Sequence, residues 1–89
     1  MAATTEALTD VRQRVRGVIA FFAGKADSTL KDADDLREDC GLGEIHLRAL
    51  AKPFTHISAD HDGKSVTQPE VVACDTIKDC VTLVSGKLS

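Results

Sequence analysis

Leu8, Val11, Val15, Val18 and Phe22 follow one another at steps of three and four. That spacing is one stripe of an α-helix, and it constrains the fold more than any other feature of the chain. Ile19 widens the stripe, Thr4 or Thr5 is placed to cap its start, and Gly24 is placed to stop it. A helix over about residues 5–23 is predicted, and its apolar face must be covered by other elements. Arg12, Arg14 and Arg16 lie largely off the stripe and read as solvated. Gly17 costs about 1 kcal/mol against Ala inside a helix, which predicts a close contact there.

No later segment alternates apolar and polar residues as a strand would, so the cover is expected to be helical. From about Glu44, Leu47, Leu50, Phe54 and Ile57 form a second stripe. Pro53 interrupts it, removing a hydrogen bond and crowding the preceding turn at a cost of ~3 kcal/mol. This helix is therefore expected to kink there or to end near Ala51, with Ser58 to Ser65 as a polar loop. Thr67-Gln68-Pro69-Glu70 is a capping box with proline in the first turn, opening a short helix to about Ala73. Asp75 or Thr76 then caps a last helix whose stripe is Ile77, Cys80, Val81, Val84 and Leu88.

Between the first two helices lies a long connection, Lys25 to Gly43. Leu30, Leu36 and Leu42 recur in it every six residues, which suits a loop pinned to a core at intervals; a short helix over about 29–38 is also compatible. A structureless loop of this length is usually functional. Its acids, Asp32 to Asp39, read either as a docking patch for a basic partner or as a solvated loop. The expected fold is all-α: a small antiparallel four-helix bundle, with three longer helices, one short helix and a long loop after the first. It forms a single domain over residues 1–89.

The net charge is −3 and there is no Trp or Tyr, so neither a phosphate-binding footprint nor a base-stacking platform is expected. Val18 to Ala23 is too short to cross a bilayer, and no apolar run follows basic residues near Met1. A cytoplasmic monomer without membrane attachment is the expectation. Cys40, Cys74 and Cys80 are an odd number without metal-ligand spacing and read as buried thiols.

Leu36-x-x-Asp39-x-Gly41-Leu42 leads into Gly43-Glu44-Ile45 at the start of the second helix, Leu47 and Leu50 follow, and Thr76-Ile77-Lys78-Asp79-Cys80-Val81 opens the last helix. In these motifs and their spacing the chain resembles the acyl and peptidyl carrier proteins. Another 45 residues follow Glu44, as is usual in that family. The resemblance implies a four-helix bundle with a serine at the start of the second helix, where 4'-phosphopantetheine is attached. A phosphodiester suits that position because free N–H groups and the helix dipole favour an anion. In this chain Glu44 occupies it. Glutamate has no hydroxyl to modify, yet its carboxylate fits the same field by roughly 0.3–1 kcal/mol.

What the resemblance implies is therefore a carrier-like interaction module with no prosthetic group and no catalysis of its own. It would dock to a biosynthetic or acyl-transfer enzyme of fatty acid, polyketide or peptide type. The docking residues would be Leu42, Glu44, Ile45, His46 and Arg48, on a helix face that here is neutral to basic. One alternative is a genuine carrier, modified at another serine or altered at the usual one. Ser28, in Asp27-Ser28-Thr29-Leu30, is the other attachment candidate, with Leu30, Ala33, Leu36 and Cys40 able to form a helix after it. A further alternative is an EF-hand-like calcium module over Asp60 to Glu70. Anchored on Gly63, it puts Ser58, Asp60 and Asp62 at the first three ligand positions, but Pro69 at the position of the essential glutamate. His46, His56 and His61 match no metal-ligand spacing and read as surface histidines.

Overall fold

In a computed structural model, the described residues, 4–88, form four α-helices: α1 (Thr5–Ala23), α2 (Glu44–Ala59), α3 (Gln68–Val72) and α4 (Ile77–Gly86). Residues 1–3 and 89 of the expected 1–89 domain lie outside the described residues. Sheet-type pairing among the described residues is confined to an isolated bridge between Asp35 and Thr76.

Contacts at the helix ends fix their directions. Arg14 and Asp10, near the start of α1, reach Asp60 and His61 at the end of α2, at 2.7 Å each. Just past α2, the N–H of Lys64 donates to the carbonyl of Lys87 beyond α4 at 2.9 Å. Thus α1 runs antiparallel to both α2 and α4, which share a direction. Val11, Val15 and Ile19 of α1 meet Leu47, Leu50, Phe54 and Ile57 of α2, Val71 of α3, and Ile77, Cys80 and Val84 of α4 in one buried cluster. Leu8 stays exposed, so the stripe of α1 enters the core only at Val11.

The caps follow local chemistry. Thr4 Oγ1 accepts from the N–H of Ala7 at 3.1 Å, and Gly24 closes α1 with φ +67°. Thr76 and Asp79 cap α4 reciprocally: Thr76 Oγ1 accepts the Asp79 N–H at 3.2 Å, and Asp79 Oδ2 accepts the Thr76 N–H at 3.1 Å.

Pro53 neither ends α2 nor opens a loop at Ser58. The helix continues through it to Ala59, and Ser58 is fully buried, its Oγ donating to the Lys64 carbonyl at 2.7 Å. Phe54 and Ile57, just after the proline, are also buried. Burying two side chains of this size is worth roughly 1.5–3 kcal/mol each, which offsets the proline penalty. Gly17 has no close neighbour: a Cβ there would meet nothing within 4 Å. The close approach is at Gly63, where a Cβ would collide with Ser58 Oγ and lie 2.8 Å from the Lys87 carbonyl oxygen.

The long connection has no α-helix over 29–38; its helical content is a single 3-10 turn, Asp27–Thr29. Leu30, Leu36 and Leu42 are buried, as their spacing predicts. Much of the acidic run builds the loop. Asp34 accepts the Lys31 N–H, Asp35 accepts the N–H groups of Arg37 and Glu38, and Asp39 accepts that of Asp35. Those backbone donors from Glu38 and Arg37 hold the Asp35 carboxyl below its ordinary range. Asp32 faces the supposedly solvated arginines of α1: Arg12 binds it at 2.9 Å and Arg16 at 2.7 Å. Arg16 also donates to the Leu30 carbonyl at 2.6 Å and pairs with Asp27 at 3.2 Å, leaving its side chain 13% exposed. The arginine spacing off the stripe is what brings them to the loop.

Candidate functional site

The segment entering α2 is closed on itself. The N–H of Leu42 donates to the carbonyl of Leu36 at 3.0 Å, and between them Gly41 takes φ +71°, a conformation that favours glycine. Leu36 and Leu42 are both buried, so this small ring is anchored from below. Gly43 is the N-cap and lacks a side chain to bond the helix. The reverse bond is made instead: His46 Nδ1 accepts the Gly43 N–H at 3.1 Å. This is the arrangement a glutamate or glutamine makes three residues after an N-cap, and it requires Nδ1 to be unprotonated.

Two side chains stand out from the first turn. Glu44 is 63% exposed and makes only a 3.5 Å pair with Arg48 one turn on, an interaction that water largely screens. Ile45 is 82% exposed, unusual for a β-branched apolar residue. Beside Arg48, α2 and α3 leave an open groove of about 360 Å³ lined by Arg48, Gln68, Pro69, Val72 and Ala73. The start of α3 is held by Glu70, which accepts from the Thr67 N–H at 3.0 Å and pairs with Lys87 at 2.6 Å. Lys87, then the Thr67 donors, lower the Glu70 carboxyl to a pKa of about 2. Arg37 donates to the carbonyls of Val72 at 2.8 Å and Cys74 at 3.2 Å, fixing the far end of α3 to the loop.

Of the docking residues expected from sequence, Glu44, Ile45, His46 and Arg48 lie together on the exposed start of α2. Leu42 does not: it is 2% exposed and supports the site from the core. Ser28 is exposed, but it lies inside the 3-10 turn and no α-helix begins after it until Glu44. It therefore lacks the helix N-terminus that would favour a phosphodiester. The groove residues of α3 were missed because nothing in their local sequence says they face α2. Phe21, 84% exposed near the end of α1, lies off the apolar stripe; its ring meets Phe22 edge-on at 6.1 Å.

The calcium positions do not converge. Asp60 is turned to Arg14 at 2.7 Å, His61 to Asp10, and Ser58 into the core. Among the described residues no three His, Cys, Asp or Glu side chains gather as a metal site would require. Gly63 packs against Ser58 of α2 and against Lys87 and Leu88 just past α4, which accounts for the glycine without a ligand loop. Cys40, Cys74 and Cys80 are buried and free; burial, then nearby Asp34, pushes the Cys40 thiol up. Among the described residues no helix is long and apolar enough to cross a membrane. No family model, no curated protein and no solved structure matches the chain.

Proposed function

We propose that this chain is an acyl-carrier-like docking module without a prosthetic group, serving a biosynthetic or acyl-transfer enzyme as a cytoplasmic monomer. The observation that carries the reading is the exposed carboxylate of Glu44, set beside the bare side chain of Ile45 at the first turn of a helix. This is where the resembling family presents its modified serine. The reading is supported by the four helices, the long connection after α1 and the short α3, which are the features the resemblance implies. 4'-Phosphopantetheine does not fit the residues present: none from Gly41 to Arg48 bears a hydroxyl. Glu44 keeps the negative charge that the helix N-terminus favours, and leaves the surface around it free for a protein. The module acts by binding, and no catalytic step is assigned to it.

Intact-mass measurement after incubation with coenzyme A and a broad-specificity phosphopantetheinyl transferase tests this. The wild-type chain should keep its mass, and Glu44→Ser should gain one phosphopantetheine. A gain on the wild-type chain would replace the proposal with the alternative of a genuine carrier modified elsewhere. No gain on Glu44→Ser would remove the correspondence between Glu44 and the family's serine.

A further inference from the structure

We infer that the partner of this surface is a protein segment bearing one large apolar side chain flanked by carboxylates, seated in the groove between α2 and α3. The inference rests on the docking reading above and adds the chemistry of the partner. The groove offers Pro69, Val72 and Ala73 as an apolar floor, with Arg48 on the α2 side. Ile45 precedes Arg48 by three residues and Lys52 follows it by four, so all three lie along one side of α2. Both are exposed. This sets Arg48 at the floor, with an apolar side chain one turn before it and a second cation one turn after it on the same side of α2.

The acid that α3 could set against those cations is already engaged, since Glu70 is bound by Lys87 and Thr67. Glu44 offsets one positive charge at most, from the end of the stripe. In a chain of net charge −3, this side of α2 is a local reversal of sign. A partner carrying carboxylates around an apolar anchor would meet complementary potential here and mostly repulsion elsewhere. A second copy of the chain is a poorer source of those carboxylates, because Asp34, Asp35 and Asp39 are bonded within their own loop and Asp32 is held by Arg12 and Arg16 of α1.

The test uses the full chain, isotopically labelled, and two synthetic helical peptides with the same central leucine, one flanked by glutamates and one by lysines. Titration followed by NMR should move the amides of Ile45, Arg48 and Val72 with the glutamate peptide. Its binding should be roughly five- to tenfold tighter than that of the lysine peptide. Arg48→Glu should abolish or invert that preference while leaving the spectrum of a folded chain, because Arg48 is exposed. Equal binding of the two peptides would overturn the inference. So would shifts confined to other surfaces, or none at ~1 mM glutamate peptide. Shifts at these amides on concentrating the chain alone would make a second copy the occupant and overturn it too. Modification of the wild-type chain by the transferase would sink the docking reading whatever the peptides do. Failure of the peptides with an unmodified wild type would sink only the partner chemistry.

Discussion

An added methyl group at Gly17 would stand in open solvent on α1, whereas one at Gly63 would press into Ser58 and the backbone of Lys87. Gly17→Ala is therefore expected to stabilise the protein by about 0.5–1 kcal/mol, the difference in helix propensity. Gly63→Ala should destabilise it by roughly 1–3 kcal/mol, because a backbone oxygen cannot move aside as a flexible side chain can. Urea denaturation of the two variants measures both signs, and the same sign for both would contradict the packing described at Gly63. Glu70 supplies a pH effect. Its carboxyl lies at about 2 in the folded chain against 4.5 when unperturbed, so the unfolded chain binds more protons between those values. Its contribution is present above pH 4.5 and is lost as pH falls towards 2. Thermal unfolding of Glu70→Gln should show a shallower loss of stability than wild type across that window. Parallel curves would mean that the contact with Lys87 does not persist in solution.

At the scale of elements, the connection before α2 is ordered by one arginine more than by any helix of its own. Arg16 reaches Asp27, the Leu30 carbonyl and Asp32 from a position on α1 that is nearly covered. Arg16→Met keeps the apolar stem and removes the donors. It is expected to cost roughly 1–3 kcal/mol, since a charged hydrogen-bonded cluster loses its shared partner. Amide exchange in residues 27–36 should quicken beyond what the global loss explains; uniform quickening would show that the loop does not depend on Arg16. Legibility differed between elements for a physical reason. Apolar spacing in α1 and α4 reports which side is buried except at the helix ends, where Leu8 stays exposed and Leu88 falls past Gly86, the last residue of α4. Pro53 reports only a local penalty, and the burial of Phe54 and Ile57 that outweighs it is non-local.

For the whole molecule, α1 lies antiparallel to α2 and α4, and the loop closes the end of the bundle where α2 begins. Leu30, Leu36 and Leu42 belong to the same buried cluster as the helices. Helix and loop should therefore unfold in one cooperative transition. Urea unfolding followed by circular dichroism and by the amide signals of residues 30–42 should give coincident midpoints. An earlier midpoint for the loop would mean that its leucines are docked on the core without being part of it.

The sequence by itself determined the all-helical character, most caps, the pinned leucines and the glutamate at the start of α2. Each of these is set by residues within a few positions of one another. Only the tertiary structure decided that α2 passes through Pro53, that Arg12 and Arg16 clamp Asp32, and that Leu42 is buried support. Only it decided that Gly63, not Gly17, is the close approach, and that α3 forms a groove with Arg48. All of these depend on partners far along the chain, and local spacing does not encode which distant surface a side chain will meet.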